Sequence, residues 1–273
     1  AQLEAEGYLV RRVGQGSFVA IDVQQSLAPP KLGAATKPTV LHAPPALSRR
    51  GQTLLSSGGC QEPSRLQAFS AGNPDLAAFP HALWRQLQNR RLRQDGPELM
   101  RYGEAQGRAE LREAIAQHLV QSRGVRCHAD QVLVLTSSQQ ALQLLATLLV
   151  DTGERVWMED PGYPGARTAF VASGAEVVNV PVDADGMACD FGLPAPRLIY
   201  LTPSHQYPTG HALSLPRRLA LLDYAAKTGA WLVEDDYDSE FLFDGRPTPS
   251  LQGLQAPGAE RVLYVGTFSK SLF

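Results

Sequence analysis

The sequence of 273 residues is 44% hydrophobic and 19% charged, with a net charge of −2, which is typical of a globular protein with one large or two ordinary domains. The small net charge excludes a uniformly basic nucleic-acid-binding protein, and the lack of a signal peptide or of an apolar run of roughly 18 residues predicts a cytoplasmic protein without membrane contact. Three widely spaced cysteines without a CxxC pair, and six histidines without an HExxH pair, predict free thiols and no metal site.

Residues 1–22 contain a predicted β-hairpin. Residues 8–10 and 17–21 alternate apolar and polar side chains and flank a glycine-rich tip with a basic edge. An isolated hairpin is marginally stable in water, so this segment is expected to be part of a larger domain. The tip does not match a dinucleotide-binding loop, because Gly14 and Gly16 lack a third glycine and a following helix.

Residues 23–67 are rich in proline, alanine, serine and glycine and show little periodicity. This composition predicts an interdomain linker. Scattered apolar residues at 41–55 could dock on a neighbouring surface.

Two helices are predicted after the linker. Residues 108–122 carry an apolar residue at every fourth position and end at Gly124. Residues 81–93 form the other helix, whose apolar side chains are expected to face inward, namely Leu83, Trp84, Leu87 and Leu92.

Five apolar runs are predicted to be strands of an open α/β sheet, and each precedes a polar cluster. They comprise residues 132–135, 155–158, 197–201, 231–233 and 262–265. In such a sheet a ligand lies beyond the carboxyl ends of the strands, so these clusters should converge on one crevice. After the first run, Ser137 and Ser138 are expected to cap a helix beginning at Gln139 and to present its free N–H groups to a phosphate. The alternative for these serines is an ordinary helix cap.

Lys270 follows the last predicted strand. Desolvation at a strand end favours the neutral amine, which can attack a carbonyl group and form a Schiff base. A lysine standing alone at this position would more often be a surface residue. The hydroxyl, acidic and aromatic clusters at the other strand ends favour the Schiff-base role, because together they suit a phosphorylated aromatic aldehyde.

Four motifs occur in one order: EDPGY at residues 159–163, TPSHQ at 202–206, EDDYDSEF at 234–241 and GTFSKSL at 266–272. With them the chain resembles the large domain of a fold-type I pyridoxal-phosphate (PLP) aminotransferase, and specifically the MocR subfamily of GntR-type transcriptional regulators. The resemblance extends from about residue 69 to residue 273. It implies an α/β fold for residues 68–273, with a mostly parallel sheet flanked by helices, and PLP as the cofactor.

The resemblance also implies roles for individual residues. Lys270 would be the catalytic residue that forms the Schiff base, Asp235 would keep the pyridine nitrogen protonated, and Tyr237 would reach the phenolic oxygen. Tyr163 would stack on the ring, and Tyr102 would reach the cofactor phosphate of the partner subunit in a homodimer, or else be a packed loop aromatic. Further cofactor-binding residues would be Ser137, Ser138, Gln139, Thr267 and Ser269. The chain departs from the wider superfamily at Tyr207, which replaces an asparagine, as is typical of the regulators.

Residues 3–19 resemble the wing of a GntR-type winged helix. By this resemblance Arg11, Arg12 and Gln15 would contact DNA phosphates or the minor groove, as positioning contacts without sequence specificity. The recognition helix of such a domain would precede residue 1, so we expect operator DNA to bind the full-length protein only. A phosphate-binding arginine and a small C-terminal domain would follow residue 273.

Three functions remain open on the sequence. The first is a transcriptional regulator whose aminotransferase-like domain senses PLP or an amino compound through Lys270 and controls DNA binding. The second is an aminotransferase that acts on an amino acid, and the third is a non-catalytic scaffold in which Lys270 forms no Schiff base. Residues 1–22 favour the regulator, because a metabolic enzyme has no use for a basic wing.

Overall fold

A computed structural model describes residues 2–20, 46–56, 72, 74–189, 191–241 and 248–272. The chain divides into two compact units, Ala1–Ala46 and Leu47–Phe273. Most of the predicted linker lies outside the described residues. Within the described ranges, no helix combines the length and apolar character that crossing a membrane requires.

The first unit contains a short helix and the predicted hairpin. Helix α1 is Gln2–Ala5, and strands β1, Leu9–Arg12, and β2, Gly16–Val19, pair in antiparallel orientation. The turn closes through a hydrogen bond from the Gln15 N–H to the carbonyl of Arg12 at 3.0 Å. Arg11 and Arg12 both belong to β1. Their side chains point to opposite faces of the hairpin, because successive strand residues alternate in direction.

The second unit is built from seven helices and six strands in its described part. The helices are α2 Arg49–Ser56, α3 His81–Asp95, α4 Ala109–Arg123, α5 Ser138–Leu149, α6 Pro164–Ser173, α7 Leu215–Thr228 and α8 Leu251–Leu254. The strands are β3 Arg155–Asp160, β4 Glu176–Asp183, β5 Gly186–Met187, β6 Leu198–Leu201, β7 Trp231–Asp236 and β8 Val262–Gly266. Single 3-10 turns occur at Leu76–Ala78, Gly96–Met100 and Ala129–Gln131.

The six strands form one sheet in the order β5-β4-β3-β6-β7-β8. All neighbours pair in parallel except β4 and β5. The central strands are apolar on both faces because helices cover both sides of the sheet. The predicted α/β fold, with a mostly parallel sheet flanked by helices, is confirmed.

Two hydrophobic clusters fill the space between the sheet and the helices. On one face, Tyr200 and Val233 pack against residues of α5 and α6, including Leu142 and Phe170. On the other face, the alternate strand residues pack against Leu221 of α7 and Leu251 of α8. These strand residues are Trp157, Ile199, Leu201 and Leu232. The alternation fixes which face each residue at the strand ends joins.

The prediction of a strand at residues 132–135 was wrong. The backbone of Val132 is extended, but no described strand pairs with residues 132–135. Val134 instead donates its N–H to the carbonyl of Gln106 at 2.9 Å and packs against Gly107, where a Cβ atom would come within 2.7 Å of the Val134 side chain.

The inward face predicted for α3 was also wrong for this chain. No residue of α3 is buried, and Leu83, Trp84 and Leu92 are 53%, 41% and 51% exposed. The apolar residues of α3 do not lie on one side of the helix, and composition alone does not say which of them a neighbour will cover. Helix α2 is a second difference, because it lies within the segment predicted to be a linker.

Candidate functional site

The carboxyl ends of β3, β6, β7 and β8 lie at the same edge of the sheet, because these strands are parallel and adjacent. The acidic residues of two motifs belong to the strands themselves, since β3 extends to Asp160 and β7 to Asp236. Four of these acids, Glu159, Glu234, Asp235 and Asp236, are almost fully buried. Their burial requires specific partners for each carboxyl group.

Asp235 is paired with the phenol of Tyr200. The O–H group of Tyr200 donates to Oδ2 of Asp235 at 2.6 Å, and both side chains are buried. Desolvation raises the pKa of Asp235 to about 6, although the hydrogen bond from Tyr200 opposes this shift. Within the described residues, no other donor reaches this carboxylate, so its Oδ1 remains available to a ligand.

Glu159 connects the loops that follow β3 and β6. Its Oε2 accepts hydrogen bonds from the N–H and the hydroxyl of Thr202, at 3.0 and 2.7 Å, and the same hydroxyl accepts the N–H of Tyr207 at 2.9 Å. The amide of Gln206 donates to the carbonyl of Pro161 at 2.8 Å. Desolvation raises the pKa of Glu159 to about 7. These bonds fix the relative position of the two loops.

Three tyrosines form a row across these loops. The ring of Tyr207 makes edge contacts with Tyr163, at 5.6 Å between centroids, and with Tyr237, at 6.3 Å. Burial raises the pKa of Tyr237 above its ordinary value, so its phenol stays protonated and can donate a hydrogen bond. The structure therefore brings Tyr163 and Tyr237 together through Tyr207.

The amino-terminal end of α5 forms a wall of an open cleft of about 780 Å³. Ser137 is the N-cap, and its hydroxyl accepts the N–H of Gln140 at 3.1 Å. Ser138 is the first helical residue, and the amide of Gln139 donates to the carbonyl of Gly165 at 3.0 Å. The cleft is also lined by Tyr163 of the aromatic row and, from α2, by Leu54.

Lys270 lies in the turn after β8. Its amine donates to the carbonyl of Gly72 at 2.7 Å. The hydroxyl of Thr267 donates to that of Ser269 at 3.0 Å. Burial raises the pKa of Asp238, which follows β7. Its hydrogen bond with Nδ1 of His205, at 2.8 Å, opposes this rise, and the charge of Lys270 opposes it more weakly.

Several residues that support the site were not recognised from the sequence. Asp236 accepts hydrogen bonds from Arg123 at 2.7 Å and from the phenol of Tyr264, while its buried Oδ1 has no partner among the described residues. Glu234 accepts the backbone N–H groups that begin α8 and lies 3.8 Å from Arg218. Both acids point away from Asp235, on the opposite face of the sheet.

The remaining predicted residues are Tyr102 and three residues of the hairpin. Tyr102 is fully exposed to solvent in the protomer. Arg11, Arg12 and Gln15 belong to the first unit and are exposed, and the guanidinium of Arg12 lies 5.5 Å from the ring centroid of Phe18. Nothing in the described residues assigns a ligand to them.

The arrangement fits a phosphorylated pyridine aldehyde. An amine, a buried carboxylate with one available oxygen, an aromatic row and the positive end of α5 occur at one edge of the sheet. The packing of Gln139 and Tyr163 leaves no room for a side chain at residue 165. A Cβ atom at Gly165 would come 2.6 Å from Oε1 of Gln139 and 2.7 Å from the phenol oxygen of Tyr163.

Comparisons with known proteins show the family that this chain resembles. Residues 66–272 match the family model of aminotransferase class I and II. The probable rhizopine catabolism regulatory protein MocR of Rhizobium meliloti is 42% identical over 99% of this chain and 54% of its own length, and the uncharacterized HTH-type transcriptional regulator YdeL of Bacillus subtilis is 38% identical over 99% and 54%. The chain thus spans about half the length of the curated relatives it matches.

A solved structure gives the same result. The crystal structure of LysN, the alpha-aminoadipate aminotransferase from Thermus thermophilus complexed with N-(5'-phosphopyridoxyl)-L-leucine, matches with a TM-score of 0.68 and 34% identity over 82% of this chain and 56% of that one. The predicted resemblance to MocR-type regulators and the prediction of PLP as cofactor are confirmed by these comparisons.

Proposed function

The chain belongs to the aminotransferase class I and II family, and we propose that it is the ligand-sensing part of a PLP-dependent transcriptional regulator. The observation that carries this proposal is the extent of the regulator matches, which cover 99% of the chain and therefore include the hairpin of residues 9–19. In this proposal the aminotransferase-like domain senses PLP or an amino compound and controls DNA binding by the full-length protein.

Most of the proposed cofactor residues belong to strand ends and loops at the carboxyl edge of the sheet. PLP supplies an aldehyde that condenses with amines and a ring that withdraws electrons when its nitrogen is protonated. Lys270 is the amine proposed to bond that aldehyde, and Asp235 the carboxylate proposed to hold the proton at the ring nitrogen. The ring and its phosphate are proposed to lie among Tyr163, Tyr237, Ser137, Ser138, Gln139, Thr267 and Ser269.

The electrostatics of the site support these roles. Burial makes a carboxylate without a positive partner costly, so Asp235 gains from a cationic ring placed against its Oδ1. The phenol of Tyr237 stays protonated and is suited to donate to an oxygen anion on the ring. The first N–H groups of α5 and the positive end of its dipole favour a phosphate.

The hairpin is proposed to contact DNA. Arg11 and Arg12 point to opposite faces of β1, and Gln15 lies in the turn, so the three side chains surround the tip and do not form one flat surface. Contacts of this kind neutralise phosphates and position the protein without reading bases. Operator DNA is therefore proposed as a partner of the full-length protein.

A homodimer is proposed from the exposed apolar side chains of α3. Leu83, Trp84 and Leu92 are large apolar side chains of α3 that the described residues leave largely exposed, and contact with a second copy would cover part of them. The exposed Tyr102 would then be free to reach the phosphate in the partner's site. Trp84→Glu should shift the protein toward monomers in analytical ultracentrifugation, whereas Leu148→Glu, at another exposed apolar residue on α5, should not.

Ligand and DNA can influence each other only if the ligand binds two arrangements of the protein with different affinity. The decisive experiment is fluorescence anisotropy of the full-length protein on DNA from upstream of its own gene, with and without PLP, across a salt series. Specific binding that weakens with salt and shifts with PLP is expected. Lys270→Ala should keep the DNA binding and lose the effect of PLP.

The second candidate is an aminotransferase that acts on an amino acid. It is favoured by the similarity to LysN and by an amine and a buried carboxylate that suit proton transfer at the cofactor. Failure to bind DNA specifically in either state, together with multiple turnovers of transamination, would establish this function in place of the regulator.

A further inference from the structure

Tyr200 occupies a defined place behind the proposed cofactor carboxylate. It lies on β6 opposite Val233 of β7, so it shares a sheet face with Val233 and therefore with Asp235 two residues further along β7. On this face it is the one residue of the β6 strand that carries a polar group. The register thus places Tyr200 and Asp235 on the same face of the sheet, with Asp235 two residues closer to the carboxyl end.

The side chain of Tyr200 is held firmly in that direction. It is fully buried, and the ring of Phe170 from α6 lies 6.0 Å away between centroids. The phenol oxygen reaches Oδ2 of Asp235 at 2.6 Å, a short distance typical of a bond from a hydroxyl to an ionised carboxylate. Burial raises the pKa of Tyr200 well above its ordinary value, so this phenol stays protonated and donates a hydrogen bond.

We propose that Tyr200 is a positioning residue: its phenol occupies one carboxylate oxygen of Asp235 and thereby keeps the proton that the other oxygen shares with the cofactor on the ring nitrogen. This inference rests on the proposed function, since it requires PLP at the site. A carboxylate that loses a hydrogen-bond donor becomes more basic. Without the hydroxyl, the shared proton moves from the ring toward Oδ1 of Asp235, and the ring becomes neutral pyridine.

The chain offers a matched control on the opposite face of the sheet. Tyr264 also donates its phenol proton to a buried carboxylate at the end of β7, but the acceptor is Asp236. Tyr200→Phe and Tyr264→Phe are therefore the same chemical change beside neighbouring acids. Loss of the Tyr264 hydroxyl should lower the free energy of unfolding without changing the protonation of the ring nitrogen.

The test uses full-length protein reconstituted with PLP that carries nitrogen-15 in its ring. Wild type and Tyr264→Phe should show the nitrogen resonance of a protonated pyridine, and Tyr200→Phe should move it toward that of neutral pyridine. PLP should also bind about tenfold more weakly to Tyr200→Phe, the loss expected for one hydrogen bond to a charged group. The analogue with carbon in place of the ring nitrogen should bind wild type and Tyr200→Phe equally.

A merely structural role for Tyr200 predicts different results. In that case Tyr200→Phe would bind PLP and the carbon analogue more weakly to the same extent, and the nitrogen resonance would not change. Either finding overturns the inference. If Tyr200→Phe does not fold, site-specific Tyr200→3-fluorotyrosine keeps the hydroxyl and makes it a stronger donor. The resonance must then stay at the protonated position, and movement toward neutral pyridine overturns the inference.

Borohydride reduction separates this inference from the function on which it rests. Wild-type protein should be labelled at Lys270 by reduction of the bound cofactor, and mass mapping reads this out directly. Labelling of Lys270 combined with an unchanged ring nitrogen in Tyr200→Phe overturns the role of Tyr200 alone. Absence of labelling in wild type overturns the proposed function and this inference together.

Discussion

Glu159 should make the protein less stable as the pH rises from 5 to 8. The folded chain buries this carboxyl group, which raises its pKa to about 7 from an ordinary value of 4.5. Because the folded state then holds the proton more tightly than the unfolded state, the stabilisation is complete below pH 4.5 and is lost as the pH rises through 7. The difference between the two pKa values corresponds to about 3 kcal/mol of unfolding free energy.

Glu159→Gln isolates this contribution. The amide retains the shape of the side chain and an oxygen that can accept the N–H and the hydroxyl of Thr202, but it does not ionise. The variant should match wild type at pH 5 and exceed it by about 2 to 3 kcal/mol at pH 8. The assay is urea unfolding at pH 5, 6.5 and 8 on cofactor-free protein, because PLP binding would add its own contribution to stability.

Glu176→Gln provides the control. Glu176 begins β4 with its side chain 58% exposed and pairs with Arg155 at 3.2 Å, so the same chemical change removes only a surface ion pair. Its effect should be small and should not grow by several kcal/mol between pH 5 and 8. An equal, pH-independent effect of both substitutions would show that desolvation of Glu159 does not control the stability.

Three further substitutions test the supports of the site. Ser137→Ala should lower the unfolding free energy by about 1 kcal/mol in urea denaturation, because it removes the hydroxyl that caps α5; no change would argue against this cap. Arg123→Met should lower it by about 3 kcal/mol or more, since Asp236 would remain buried without its counter-charge. An unchanged melting temperature would contradict that expectation. Gly165→Ala should weaken PLP binding about tenfold in a fluorescence titration, because the added methyl group would overlap Gln139 and the phenol of Tyr163. Undiminished binding would exclude Gly165 from the cofactor site.

The sequence predicts the framework of the sheet well. Apolar runs at β3, β6, β7 and β8 mark strands, and Ser137 marks the start of α5, because a strand buried on both faces and a capped helix have strong local signals. The run at residues 132–135 has the same composition and is not a strand among the described residues. Composition shows that a segment can extend, but strand formation also needs a neighbouring strand.

The carboxyl ends of the strands were harder to predict. Strands β3 and β7 continue through Glu159 and through the acids of residues 234–236, where hydropathy predicts a loop. Each acid is tolerated inside because a distant part of the chain supplies its partner, as Arg123 does for Asp236 across 113 residues. No local pattern relates residues that far apart, so these partners become visible only in the fold.

The consecutive acids of β7 explain how one carboxylate can be held accurately at the sheet edge. Strand alternation directs Glu234 and Asp236 to the face opposite Asp235. There Glu234 binds the start of α8 and Asp236 binds Arg123, so the strand end is anchored through its two outer acids. Among the described residues, Asp235 is left with a single protein donor, Tyr200, which binds its Oδ2. The division of roles follows from strand alternation. Glu234 and Asp236 face one side of the sheet and fix the backbone, whereas Asp235 faces the other side and is available for chemistry.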